Sequence, residues 1–117
     1  MPIINALEQQ VSEILRSLMI PGTLHGHQYL VTAISQTVID PARVLYITKE
    51  LYPDLAKQYG STVPNIERVI RHAIKRCWSR GGREALDQVA GIHLNQRPTN
   101  SEFIDLVANY IRIRGKN

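Results

Sequence analysis

The chain has 117 residues, enough for one domain built on a single hydrophobic core. Hydrophobic residues make up 44% of it and charged residues 21%, a composition that excludes wholesale disorder. The 14 Lys and Arg residues against 10 Asp and Glu give a formal net charge of +4, which favours an acidic partner such as nucleic acid.

Helical periodicity dominates the first third of the chain. Residues 3–19 repeat apolar side chains at three- and four-residue spacing, which predicts an amphipathic helix that is stopped by the following Pro-Gly pair. A second apolar repeat predicts a helix over 27–39. Asp40 and Pro41 match an N-cap followed by proline at the first helical position, so we predict a third helix to about Leu51.

Proline and glycine divide the middle of the chain into two further predicted helices. The residue before a proline avoids the α region, so a break is predicted at Pro53. A short helix over 53–59 is predicted to end at Gly60, the residue best suited to a left-handed C-terminal turn. Residues 61–62 can cap a long helix that runs to about Ser79.

The last third of the chain contains two more predicted helices. A short one covers about 83–90, and after a loop the capping box at 99–102 begins a helix that runs to about Ile113. No segment of strict two-residue alternation competes with these helices. The predicted fold is therefore all-α, a compact bundle of about six helices in one domain over 1–117.

The segment 53–79 has the features of a helix-turn-helix. Such a motif needs a small residue where its helices touch and glycine where the turn takes a positive φ, and Ala56 and Gly60 meet these needs. At about 100° per residue, the second helix has an apolar arc opposite a cationic one. The apolar arc holds Ile66, Val69, Ile70, Ala73, Ile74 and Cys77. The cationic arc holds Arg68, Arg71, His72, Lys75 and Ser79, with Glu67, Arg76 and Arg80 at its edges.

An apolar back and a cationic front suit a helix that enters the major groove of DNA. Arginine can pair with the O6/N7 edge of guanine and glutamate can accept from cytosine N4, so the Arg and Glu residues in the first half of this helix predict base contacts. Lys75, Ser79 and Arg80 are predicted to contact phosphates, as are the backbone N–H groups of Ser61 and Thr62.

Four segments carry a resemblance to a known family. Residues 66–74 (IERVIRHAI) and 78–81 (WSRG) resemble the recognition region of the sporulation response regulator stage-zero protein A. Residues 51–57 (LYPDLAK) and 98–104 (PTNSEFI) resemble its flanking signatures. The similarity covers about 10–114, nearly the whole chain.

The resemblance implies a six-helix effector domain that binds TGTCGAA-type boxes, often as tandem copies, and contacts RNA polymerase sigma factors. By matching position, it assigns base reading to Glu67, Arg68 and Arg71. Together with Lys57, the residues expected near the DNA backbone are Ser61, Thr62, His72 and Lys75. The surface expected to meet the sigma factor holds Ala108, Asn109 and Ile111. The partners implied are double-stranded DNA, a sigma factor and a second copy on tandem sites, with no cofactor.

The family's regulator normally carries a phosphoacceptor receiver domain before this region. No such domain is recognisable in the sequence, which fits either an excised effector domain or a short stand-alone relative. An alternative function is a protein-interaction module of the same fold, which would bind RNA polymerase or the full-length regulator with little specific DNA binding.

The sequence contains only weak signals for a metal site, a reactive thiol or an enzyme active site. His25 and His27 lie two residues apart with no third ligand nearby, so we predict ordinary surface histidines and no metal site. Tyr46 and Trp78 are predicted to pack in the core or between helices. Cys77 is predicted to be a buried, unreactive thiol. Without a nucleophile elbow or a phosphate-cradling glycine loop, the sequence does not predict an enzyme.

The sequence also favours a cytoplasmic location. A single cysteine cannot form an internal disulfide, which fits a reducing compartment. The amino terminus lacks the basic and apolar segments of a secretory signal, and no apolar run approaches the ~20 residues that cross a bilayer. We therefore predict no membrane association.

Overall fold

A computed structural model describes residues 5–114, and within that range it contains six α-helices and no strand. The helices are α1 (Ala6–Ser17), α2 (His25–Ile39), α3 (Tyr52–Tyr59), α4 (Val63–Ser79), α5 (Arg83–Ala90) and α6 (Asn100–Arg114). The Cα radius of gyration is 13.2 Å, close to the ~13 Å of a compact domain of this size. The all-α prediction is confirmed. Among the described residues, none of the helices combines the length and apolarity needed to span a membrane.

Helix α1 begins and ends by local capping. The side chain of Asn5 accepts a hydrogen bond from the Glu8 N–H at 2.8 Å, whereas the predicted start at residue 3 lies outside the described residues. The prediction that the Pro-Gly pair stops the helix is wrong, because the chain turns earlier, at Met19, whose φ is +67°. This turn places Leu18 and Ile20, on either side of it, fully in the core.

Helix α2 occupies the centre of the bundle. It packs against α1, α4 and α6, and it begins at His25, two residues before the predicted start. It approaches α4 closely at Gly26, where an added Cβ would lie 2.9 Å from both the Ala73 Cβ and the Val69 carbonyl oxygen. Only glycine fits such an approach of two helices, so Gly26 fixes α2 directly behind α4.

The predicted third helix is helical but is not an α-helix. Its place is taken by a 3₁₀-helix, Pro41–Tyr46, followed by a π-helix, Ile47–Leu51. Asp40 caps the first of these, as predicted, by accepting from the Ala42 N–H at 3.2 Å. Tyr46 lies where the two helices meet, outside helical geometry, and is 52% exposed, so the prediction that it packs in the core or between helices is wrong.

The break predicted at Pro53 is absent. Tyr52 has φ −62° and ψ −44°, and its N–H donates to the Ile47 carbonyl, so the π-helix continues directly into α3. Pro53 lies in the first turn of α3, and its fixed φ is compatible with the helical conformation. Leu51 and Tyr52 are both buried, and this burial favours the α conformation despite the proline that follows.

The capping box predicted before α6 is confirmed. The Thr99 N–H donates to the Glu102 carboxylate at 2.8 Å, and the Glu102 N–H donates to the Thr99 hydroxyl at 3.2 Å. Next to it, the side-chain amide of Asn100 donates to the Tyr52 hydroxyl at 2.9 Å and to the Glu67 carbonyl at 3.0 Å. The start of α6 is thereby held against both α3 and α4.

Candidate nucleic-acid interface

Helices α3 and α4 are joined by a tight turn at Gly60. Its backbone lies in the left-handed region at φ 62° and ψ 40°, as predicted for a C-terminal glycine. The N–H groups of Gly60 and Ser61 both donate to the Ala56 carbonyl. Ala56 is only 8% exposed, as expected of a small residue at the helix contact. This arrangement is consistent with a helix-turn-helix.

The start of α4 is capped by side chains. The Thr62 hydroxyl accepts from the Asn65 N–H at 3.3 Å, and the Ser61 hydroxyl accepts from the Asn65 side-chain amide at 2.8 Å. The Ser61 N–H does not match its predicted role in phosphate binding, because it donates to the Ala56 carbonyl at 2.8 Å. The Ser61 hydroxyl, which accepts from Asn65, keeps its own hydrogen available to donate.

The two arcs predicted for α4 match the burial of its side chains. The six predicted apolar positions are all buried: Ile66, Val69, Ile70, Ala73, Ile74 and Cys77. The predicted cationic arc is exposed to solvent: Arg68, Arg71, His72, Lys75 and Ser79. Glu67 and Arg76, at the edges, are intermediate, and Arg80 is exposed. The helix is thus anchored along one side and open along the other.

The three residues predicted to read bases lie on one exposed stretch of α4. One terminal nitrogen of Arg71 donates to both carboxylate oxygens of Glu67 at 2.7 Å, and these side chains are 46% and 38% exposed. Arg68 donates to the side-chain oxygen of Asn65. Both arginines have their hydrogen-bond partners on α4 itself, and both are exposed to solvent.

The predicted phosphate-contact residues extend the same surface. His72, Lys75, Ser79 and Arg80 line one open cleft in the second half of α4, and Arg76 joins them there. The Ser79 hydroxyl donates to the Lys75 carbonyl at 2.7 Å, so it must release this hydrogen bond before it can donate to a phosphate oxygen. Lys57 is exposed on α3. No carboxylate lines this cleft, which suits an anionic ligand.

Arg97 joins this surface, although it was not predicted. It is exposed in the loop before α6 and lines a groove of about 390 Å³ together with Tyr52, Glu67, Arg71 and Asn100. The hydrogen bonds of Asn100 to α3 and α4 bring this loop beside Arg71. In the sequence, the one feature that could have drawn attention to Arg97 is its position just before the capping box of α6.

The predicted sigma-factor surface is only partly exposed. Ala108 is 0% and Ile111 is 4% exposed, whereas Asn109 is exposed. The prediction is therefore wrong for Ala108 and Ile111 as contact residues. Both lie on the face of α6 that also buries Ile104, since positions three and four apart share one side of a helix.

The two histidines of α2 have different environments. His25 is exposed, as predicted. His27 is only 4% exposed, so the prediction of a surface residue is wrong. Its Nε2 lies 2.8 Å from the Ser12 hydroxyl and its Nδ1 lies 2.9 Å from the Ile20 carbonyl oxygen, and these bonds join α1 to α2. Across residues 5–114 no three side chains form a potential metal site.

Trp78 and Cys77 close the core at the end of α4. Trp78 is half-buried against the core, as predicted, and the Arg83 guanidinium lies 4.1 Å from its ring centre. Cys77 is fully buried, and burial raises the pKa of its thiol to about 11. The buried thiol matches its prediction and stays protonated at neutral pH.

We expect Cys77 to resist thiol reagents at pH 8 until the protein unfolds. Only the thiolate reacts, and burial both shields it and raises its pKa to about 11. Because the folded state keeps the thiol protonated, its contribution to the free energy of unfolding is fully present below the ordinary thiol pKa. This contribution is lost as the pH rises through about 11. Labelling with a disulfide reagent across a urea titration measures this, with Cys77→Ser as the blank. Fast labelling of the folded protein would contradict it.

The family comparison agrees with this geometry. The family model described as "Sporulation initiation factor Spo0A C terminal" matches residues 11–111 of the 117-residue chain. The match includes α4, the turn before it and nearly all of α6. The chain therefore belongs to the family of C-terminal, DNA-binding effector domains of the sporulation initiation factor Spo0A.

Proposed function

We propose that this protein is a sequence-specific transcription regulator that inserts α4 into the major groove of TGTCGAA-like boxes. The observation that supports this most is the division of α4 into a buried side and an open, cationic side. In this proposal Arg68 and Arg71 pair with guanine edges, and Glu67 accepts a hydrogen bond from cytosine.

The length of α4 supports separate roles for its two halves. The helix has 17 residues, which span about 25 Å, whereas the major groove is about 12 Å wide. Its first half can therefore lie in the groove while Lys75, Ser79 and Arg80 meet the phosphates beside it. Lys57, Thr62 and the Ser61 hydroxyl add backbone contacts at the start of the helix, and His72 lies between the two sets.

The ion pair between Glu67 and Arg71 does not prevent base contacts. Exposed pairs four residues apart on a helix contribute only about 0.3–0.5 kcal/mol, and each of these side chains is more than one-third exposed. A bidentate contact with guanine contributes roughly 1–3 kcal/mol of discrimination. Arg71 can therefore exchange its helical partner for a base at small cost.

Fluorescence titration of a box duplex and a scrambled duplex tests this function. We expect the box to bind more tightly at both a low and a high salt concentration, because base contacts survive screening better than phosphate contacts do. A box-to-scrambled ratio near one would contradict the proposal. That outcome would favour the protein-interaction module, which needs little specific DNA binding.

Replacing Lys75 by alanine should weaken binding to all duplexes alike. The residue is exposed on α4 and is assigned to a phosphate, so its loss should lower the slope of log K against log salt by about 1. Arg16→Ala, which removes one exposed cation from α1, is the matched control and should leave the slope nearly unchanged. If Lys75→Ala instead lowered the affinity for the box duplex but not for the scrambled duplex, Lys75 would be assigned to base reading.

The proposed function includes two protein partners, an RNA polymerase sigma factor and a second copy of this chain on tandem boxes. Of the three residues predicted for the sigma-factor surface, only Asn109 is exposed to solvent and therefore accessible to a partner. We therefore assign the contact on α6 to Asn109 and its exposed neighbours.

A further inference from the structure

A second cationic site lies beside the open face of α4. The first residues of α2 and the middle of α4 enclose a cleft of about 260 Å³, which we call the α2–α4 cleft. Its polar side chains are His25 from α2 and Asn65, Arg68 and His72 from α4. The sequence alone predicts an ordinary surface residue at His25, but the fold places it next to two predicted DNA contacts, Arg68 and His72.

The chemistry of this cleft suits an anion. Three of its lining side chains are arginine or histidine, and no carboxylate is among its lining residues. The first turn of α2 contains no acidic residue either, and the preceding Leu24 provides no side-chain cap. The positive end of the α2 dipole therefore adds to the field of Arg68 rather than opposing it.

His25 is held in place by packing. Its ring centre lies 5.7 Å from that of Tyr29, which in turn lies 5.1 Å from the ring centre of Tyr59 on α3. The Tyr59 hydroxyl is 2.6 Å from the Thr32 hydroxyl, which fixes this row of rings to α2. With Gly26 pressed against α4, the imidazole has a defined position beside Arg68 and His72.

We propose that the α2–α4 cleft binds a phosphodiester group of the DNA backbone and that His25 is the residue on α2 that contacts it. The inference rests on the proposed function, because it places the phosphate next to the groove that α4 enters. A hydrogen bond from the imidazole to a phosphate oxygen carries no sequence information. It fixes instead the depth and register of α4, and with them the distance from Arg68 to its base.

Single methylphosphonate substitutions in a box duplex test this contact, because each removes the charge of one phosphate. We expect His25→Ala to lower the affinity for the box duplex and for the scrambled duplex by the same factor, about 3- to 10-fold. At one position, methylphosphonate substitution should lower the affinity of the wild-type protein by a similar factor and leave the affinity of His25→Ala unchanged. His25→Lys, which replaces the imidazole by another hydrogen-bond donor, should restore sensitivity at that position.

His93→Ala is the matched control, since His93 is another exposed histidine, in the loop between α5 and α6, paired with Asp87. It should change neither affinity nor the methylphosphonate profile. The inference is overturned if each methylphosphonate substitution lowers the affinity of His25→Ala and of the wild type by the same factor. The proposed function stands in that case, provided that the wild type still prefers the box duplex. If the wild type shows no preference for the box, the proposed function fails, and the inference fails with it.

Discussion

Replacing Arg68 by alanine is expected to weaken binding to the box duplex by roughly 1–3 kcal/mol, or about 5- to 150-fold, and to relax the preference at one base pair. Arg68 is exposed on α4 and its partner is Asn65, three residues earlier on the same helix. Its removal therefore leaves the core intact. Titration against the box and its single-base variants measures both effects.

Arg68→Lys separates charge from geometry in this experiment. Lysine keeps the positive charge but lacks the planar fork that pairs with guanine O6 and N7, so it should restore non-specific affinity without restoring discrimination. If Arg68→Ala weakened the box and the scrambled duplex by the same factor, Arg68 would be a phosphate contact, and the assignment to base reading would be wrong.

Replacing Ile70 by alanine should destabilise the fold by about 2–5 kcal/mol, because it leaves a cavity behind the exposed side of α4. Ile70 is 0% exposed and lies on the buried side of α4. Ile70→Val, which removes one methylene group, should cost only about 0.5–1.5 kcal/mol. Urea denaturation followed by circular dichroism measures the free energy of unfolding of each variant.

A surface isoleucine provides the control for that experiment. Ile92 is 65% exposed in the loop after α5, and its replacement by alanine should change stability by no more than about 0.5 kcal/mol. Equal losses for Ile70→Ala and Ile92→Ala would contradict the placement of α4 on the core. Ile70→Val should keep the box preference, since the open face of the helix is untouched.

The features that could be predicted from sequence are those set by local chemistry. The two arcs of α4 follow from helical periodicity, and the turn at Gly60 follows from the need for positive φ. The capping box of Thr99 and Glu102 forms between residues three apart. Each of these depends on side chains within a few residues, so the pattern determines the structure.

The errors lie where tertiary packing overrides local preference. Tyr52 stays α-helical before a proline because it and Leu51 are buried, and the segment before it tightens and then widens into 3₁₀- and π-helix. Met19 takes a positive φ so that its neighbours enter the core. Neither outcome can be inferred from propensity, since both depend on partners distant in sequence.

Two further differences concern the candidate sites and have the same origin. Ala108 and Ile111 were placed on a surface by family position, but α6 packs that face against the bundle. Conversely, His25 and Arg97 reach the neighbourhood of α4 only because α2 and the loop before α6 fold beside it. Sequence patterns identified the buried and the open side of α4, whereas the residues that lie beside this helix could be found only from the fold.

The central claim, that the open face of α4 contacts guanine edges in the major groove, is tested most directly by a box containing 7-deazaguanine. This base keeps Watson–Crick pairing and the minor groove but lacks the N7 acceptor in the major groove. Substitution at one guanine should weaken binding of the wild type and leave Arg68→Ala or Arg71→Ala unaffected. Equal affinity of the wild type for the normal and the fully 7-deazaguanine boxes would contradict the account.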